Sequence, residues 1–174
     1  MSLLLSQEIN PSLAESVFSI RENKVFFGNT VIPKADVNTF QVMNAICHGD
    51  EDKHCFGKDK ERVYYYSREL PNSDPNTFRF LGGGYSSDKK NVYYIMENVF
   101  QVVIGANSKT FQVVGSIGSS YAYAKDNNFV YYDGVKIQGS DGKSFGLLKG
   151  NKKFEAKDKK YYYIGSEKIP IKRK

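Results

Sequence analysis

One pattern, written five times over, constrains this chain more than anything else in it. The segments RENKVFFGNTVIPKADVNTF (residues 21–40), DKERVYYYSRELPNSDPNTF (59–78) and DNNFVYYDGVKIQGSDGKSF (126–145) align over 20 residues without a gap. A fourth copy, DKKNVYYIMENVFQVVIGANSKTF (88–111), carries four extra residues, and a fifth, DKKYYYIGSEKIP (158–170), stops before the last third. Their common strand position falls at Val25, Val63, Val92, Val130 and Tyr162. A unit this short cannot enclose a core of its own, so copies must bury their faces against one another. The expected organisation is an N-terminal extension over 1–17 and one repeat domain over 18–174. Its units are placed at 18–43, 56–81, 85–114, 121–148 and 154–174.

Within a unit the residue types follow the backbone they must adopt. Asp59, Asp88, Asp126 and Asp158 each open a polar stretch ahead of an aromatic run. An Asp there accepts hydrogen bonds from N–H groups two residues on, forming an Asx-turn that reverses the chain. The run Val-Tyr-Tyr, or its variant, reads as a strand. Asp133-Gly134, Gly28-Asn29 and Gly165-Ser166 then supply left-handed residues for a two-residue hairpin turn. A short return strand ends in Ile32, Leu70, Ile137 or Ile169, and Pro33, Pro71 and Pro170 halt ladder pairing in three copies. The unit closes on D-x-x-[TS]-F, led by Asp36, Asp74 and Asp141, with Asn107 as the Asn version. That residue caps one helical or 3₁₀ turn and presents Phe inward four residues later. An apolar run such as Gln41-Val42-Met43 makes a further strand. The fold class is therefore all-β: antiparallel tandem hairpin or meander repeats with short 3₁₀ turns between strands. An open stacked array, a curled sheet and a small propeller all satisfy the pattern.

Strand alternation puts the first and third residues of the aromatic run, such as Val63 and Tyr65, on one face. The middle residue, Phe26, Tyr64, Tyr93, Tyr131 or Tyr163, points the other way. Both faces are apolar or amphipathic, the mark of a strand covered on two sides. Two roles suit the middle column: packing between repeats, or a candidate ligand-binding surface on which sugar rings or bases stack. Packing is the expected role, because stacked repeats have to bury those faces.

The words DKKNVYY, KDNNFVYYDGVKI and SDPNTF resemble those of the DKNYY family, and the likeness runs from Phe18 to Pro170. The resemblance implies a bacterial protein, of a kind often exported or lipid-anchored, with no established activity and no catalytic residues to carry over. Arg21 in place of the leading Asp, and the insertion within 88–111, depart from the pattern.

The chain carries 25 Lys and Arg against 19 Asp and Glu, a net +6. Both signs are scattered, and the one purely basic run is Lys172-Arg173-Lys174. The excess reads as a solvated surface, with no nucleic-acid partner expected. No apolar stretch approaches the roughly 20 residues of a membrane helix, so no transmembrane segment is expected. Leu3 to Leu5 is too short for a signal core of roughly 7–15 residues. The reading is an export signal already removed, hence a cell-envelope or secreted protein, with a cytoplasmic one as the alternative.

Repeated aspartates raise calcium as a ligand. Here each is followed by Lys or Asn, and the about six to eight converging oxygens of a calcium loop are missing. Asp59, Asp88, Asp126, Asp158, Asp36, Asp74 and Asp141 are read as structural turn residues, and no metal or cofactor is expected. Gly82-Gly83-Gly84 lacks the Lys-Ser/Thr of a phosphate loop, and Gly115-Ser116-Ile117-Gly118 lacks nucleophile-elbow spacing. CHGDEDKHC, over 47–55, is where thiols and imidazoles gather. Cys47 and Cys55 flank an expected hairpin loop, which sets them opposite each other as a candidate disulfide. Free thiols are the second reading. A metal site is the third, although C-H-x₅-H-C does not match Cys₂His₂ spacing. The expected function is a non-enzymatic cell-envelope repeat module, binding or structural, with a protein or glycan as partner. The alternative is an enzyme or lectin-like protein acting on cell-surface glycan, which needs two convergent carboxylates.

Overall fold

The computed structural model describes residues 18–43, 55–96, 99–117 and 121–172. Among them the chain forms five antiparallel sheets and no helix. The first contains β1 (Phe18–Arg21), β2 (Lys24–Phe27) and β3 (Thr30–Val31). The second contains β4 (Gln41–Val42), β5 (Phe56–Lys58), β6 (Val63–Tyr65) and β7 (Arg68–Glu69), and the third β8 (Arg79–Gly82), β9 (Tyr85–Ser87), β10 (Val92–Met96) and β11 (Val99–Val102). The fourth is built from β12 (Gln112–Ile117), β13 (Tyr121–Lys125), β14 (Val130–Tyr132) and β15 (Val135–Ile137). The fifth has β16 (Gly146–Leu147), β17 (Ala156–Lys157), β18 (Tyr161–Ile164) and β19 (Glu167–Pro170). Every sheet is a meander with its strands in chain order.

The recurring residues set the strand ends. The D-led turn joins the second and third strands of a full sheet. A hairpin turn joins the third and fourth, with Asp133 and Gly134 both left-handed and Gly28 and Gly165 left-handed at its first position. The four extra residues of the third unit extend this hairpin: β10 runs five residues where β6 runs three, and β11 four where β7 runs two. D-x-x-[TS]-F is one tight turn, with Thr39 N bonded to Asp36 O at 3.1 Å and Thr77 N to Asp74 O at 3.2 Å. It carries the chain across to the next sheet. The strand after its Phe therefore pairs forward: Gln41 and Val42 lie opposite Lys58 and Gly57 of the second sheet. The sequence units ended on that strand; the sheets begin with it.

The sheets stack face to face. Phe18, Val25 and Ile32 of the first pack with Cys55 and Tyr64 of the second. Phe56, Val63 and Tyr65 then meet Tyr93 and Ile95 of the third. Tyr85, Val92 and Tyr94 meet Ala124 and Tyr131, and Tyr123 and Val130 meet Ala156 and Tyr163. The middle aromatic of the second to fourth runs, and Tyr163 of the fifth, thus faces the preceding sheet, while the neighbours of the first four face the following one. Among the described residues no such cluster joins the fifth sheet to the first, so the five described sheets form an open stack.

Between sheets lies the linker Phe, and the strand beneath it is pared down to make room. Two residues before each Asp stands Gly57, Ser86, Ala124 or Ala156, all buried. A Cβ on Gly57 would sit 2.4 Å from Phe40 Cζ, whereas Ala124 and Ala156 pack in the same clusters as Phe111 and Phe145. Ser86 Oγ has no hydrogen-bond partner among the described residues. Two substitutions in this one column should therefore move stability in opposite directions. Ser86→Ala removes an unsatisfied buried hydroxyl and is expected to raise stability by about 1 kcal/mol. Gly57→Ala overpacks and is expected to lower it by about 1–3 kcal/mol. Urea midpoints measure both, and the same sign for the two would contradict the packing described.

Candidate functional site

The acidic residues of the repeat converge with its tyrosines at the junctions between sheets. Asp88 Oδ1 accepts hydrogen bonds from Lys90 N and Asn91 N, both at 2.7 Å, closing its own turn. Its Oδ2 accepts from Asp74 N of the preceding linker at 3.0 Å and from the Tyr93 hydroxyl at 2.7 Å. Asp59 repeats this set with Glu61 N, Arg62 N, Asp36 N and Tyr64. Asp126 does so with Asn128 N, Phe129 N, Asn107 N and Tyr131. Asp158 uses Lys160 N, Tyr161 N, Asp141 N and Tyr163. One carboxylate thereby holds two turns and a core tyrosine. With four donors on two oxygens, no coordination position is left for a cation.

A second layer brackets each junction. The linker hydroxyls of Thr39, Thr77, Thr110 and Ser144 accept from the backbone N–H one residue past the Asp, at 3.0–3.3 Å. The Lys at that position pairs with the linker Asp: Lys60 with Asp36 at 3.1 Å, Lys89 with Asp74 at 2.8 Å and Lys159 with Asp141 at 2.6 Å. Sequence reasoning missed these contacts, although the chain carries a sign of them. Where the linker Asp becomes Asn107, the Lys becomes Asn127, so both charges are lost together. The first unit makes a parallel exchange. Arg21 replaces the Asp and Phe26 replaces the Tyr, and the guanidinium lies 4.0 Å from the Phe26 ring centre.

Electrostatics follow from this geometry. Burial works against the charge on Asp59, Asp88 and Asp126, but the converging N–H and O–H donors outweigh it and hold all three below the usual carboxylate range. Lys89 and Lys159 bring Asp74 and Asp141 down to about 2. Burial, then the adjacent carboxylate, pushes the hydroxyls of Tyr64, Tyr93 and Tyr163 well above their ordinary value.

These positions settle where the expected site residues stand. Tyr64, Tyr93, Tyr131 and Tyr163 are 0% exposed and Phe26 is 8% exposed. The column is core, the packing role expected of it, and not the candidate stacking surface: each of the four tyrosine rings is enclosed between two sheets, and Phe26 is covered by Arg21. The seven turn aspartates occupy the junctions. Cys55 is buried beside Phe18 and Tyr64, just ahead of β5, which pairs antiparallel with β4. Cys47, the second half of the candidate disulfide, lies outside the described residues, as do both histidines and the extension over 1–17. An open cleft of about 330 Å³ lies between the return strands of the third and fourth sheets, lined by Gln101, Val102, Ile104, Val135, Lys136 and Gln138. No helix among the described residues is long and apolar enough to cross a membrane.

Residues 18–167 match the family model described as the DKNYY family. The chain belongs to the DKNYY family. No match was found among curated proteins or among solved structures. In this DKNYY chain the signature Asp, Lys and Tyr are the parts of the junction: the Asp accepts, the Lys pairs outward in three of the four junctions, and the Tyr donates from the core.

Two expectations follow. Tyr93→Phe leaves the Asp88 carboxylate one donor short and should lower stability by about 1.5–3 kcal/mol. Asp88→Ala should cost more, and the double variant less than the sum of the two, measured as a double-mutant cycle in urea; strict additivity would contradict the shared junction. The pH dependence has two arms. The depressed Asp groups stabilise the fold above the unfolded value of about 3.9, and this is lost as pH falls towards 2. The raised Tyr groups stabilise it fully below about 10, and this is lost as pH rises further. The urea midpoint should fall at both ends, with absorbance at 295 nm showing the core tyrosines ionising only as the chain unfolds.

Proposed function

We propose that this chain is a non-catalytic binding or structural module of the bacterial cell envelope, with a protein or a glycan as its partner. The observation that carries this reading is the use of the repeat's acids and tyrosines. Asp59, Asp88, Asp126 and Asp158 each spend their acceptor positions on backbone amides and a core hydroxyl, so none is left to act as acid, base or nucleophile. What remains for recognition is the outer surface. Its strongest apolar feature borders the cleft, where Ile104 is 83% and Val135 60% exposed. Val102, Ile104 and Val135 line this one cleft together, and such a grouping of exposed apolar side chains suits contact with a partner. The envelope setting follows the expectation that members of the family are often exported.

Glycan-array and pull-down measurements on the full chain test the proposal. Retention of a ligand that is lost in Ile104→Asp, with the urea midpoint unchanged, is the expected result. Release of cleaved fragments from cell-wall polymer, or retention that ignores the variant, would overturn it.

A further inference from the structure

The basic excess is scattered by sign but not by position. Residues 136–174 hold 12 of the 25 Lys and Arg but only four of the 19 acids. Three of those four acids are turned inward: Asp158 holds its junction, Asp141 pairs with Lys159, and Glu155 Oε2 accepts from Gly165 N at 2.7 Å and lies 2.8 Å from the Tyr123 hydroxyl. Lys149, Lys152, Lys153, Lys157, Lys160 and Lys172 are exposed, and none is in an ion pair among the described residues.

The partners of the equivalent lysines explain part of this. In the second and fourth sheets the Lys before the Asp donates forward, Lys58 to Pro75 O at 3.1 Å and Lys125 to Phe145 O at 2.9 Å. Lys157 is their counterpart in the fifth sheet and makes no such bond to a linker among the described residues. On its face stand Tyr162, Ile164 and Ile169, in register with or alternating beside it. Ile164 and Ile169 are 42% and 38% exposed, whereas Val130 and Ile137, which match Tyr162 and Ile169, are buried against the next sheet.

A second copy of the chain is a poor occupant. The rear face of the first sheet presents Arg21 and Lys24, of the same sign, and lacks the Asp acceptor. A nucleic acid or sugar chain would want open aromatic faces. Tyr162 is instead stacked on Phe154 at 4.4 Å, Lys153 lies over Phe154, and Lys168 over Tyr161. What the face offers is lysine charge around two aliphatic tips, with Glu167, opposite Ile164, as its one exposed carboxylate. Aliphatic tips gain nothing from a hydrated polyanion, but they enter the boundary between headgroups and acyl chains.

We propose that the C-terminal sheet docks on an anionic lipid surface, with the lysines held at the headgroups and Ile164 and Ile169 entering the interface. This is independent of the cleft. The test is co-sedimentation of the full chain with phosphatidylcholine vesicles, with and without phosphatidylglycerol, in low and high salt. Binding is expected only with the anionic lipid, to weaken steeply with salt, and to fall about tenfold or more in Lys153→Glu/Lys157→Glu. Ile164→Ser, with the same charge and urea midpoint, should bind several-fold more weakly. Binding to neutral vesicles alone, no binding at low salt, or binding indifferent to Ile164→Ser would overturn the proposal. So would an affinity for single-stranded DNA or acidic polysaccharide equal to that for the anionic vesicles.

Discussion

A carboxylate buried between two β-sheets is expensive unless its oxygens are filled, and this fold is arranged to fill them. At each of four junctions one Asp takes two amides from its own turn, one from the linker before it and one hydroxyl from a tyrosine in the core. The three sources lie in different parts of the chain. The turn, the linker and the aromatic strand can therefore satisfy the charge only when all are in place, and partial formation leaves it stranded. This ties local turn geometry to the docking of neighbouring sheets. It also explains why the Asp cannot change alone. In the first unit, where Arg21 stands in its place, the tyrosine hydroxyl is gone as well and a cation sits on the Phe26 ring.

Stacking the sheets by such junctions makes the molecule close to one-dimensional, each sheet leaning on its neighbours. Hydrophobic packing and polar locking lie side by side at each interface. Phe145 is in edge contact with Tyr163, and the Tyr163 hydroxyl closes on Asp158 in the same contact. The hairpin turns add a further tie. Gly134 N donates to the Tyr85 hydroxyl of the preceding sheet, and a Cβ at Gly134 would lie 2.6 Å from Tyr94. One residue earlier in the same hairpin turn, where the fourth sheet has the left-handed Asp133, the second sheet has Tyr66 at φ 54, an unfavourable conformation for an aromatic residue, with its ring 4.9 Å from Phe27. Contact with the previous sheet compensates the backbone strain there.

Much of this was legible from the letters. Val-Tyr-Tyr alternation gave two covered faces, and the Asp before it gave the turn. The phase of the units was not legible, because Gln41-Val42 reads as a strand of either neighbour and only the crossing at Phe40 assigns it. Open stack against propeller was likewise undecidable, since identical units close or stay open according to small rotations that no residue type encodes. The core role of the aromatic column was legible from the need of stacked repeats to bury their faces, but the fate of its hydroxyls was not. The partner of each hydroxyl is the Asp five residues earlier in the same unit. The two recur together and are lost together at Arg21 and Phe26, which marks them in the sequence as one unit.

The same economy shapes what remains outside. Because the junction consumes the conserved-looking chemistry of each repeat within this chain, side chains pointing away from it are free to diverge without unstitching the stack. Lys60, Lys89 and Lys159 keep their linker partners, whereas Asn127 has given its charge up with Asn107 at little cost, as expected for an exposed pair. Divergence on the outside has accumulated unevenly. The third and fourth sheets carry the exposed apolar strip at Ile104 and Val135, and the fifth carries the lysines. A scaffold that repeats inside and differs outside can place dissimilar surfaces at fixed distances along one axis. Its specificity then lies in residues that the repeat does not predict.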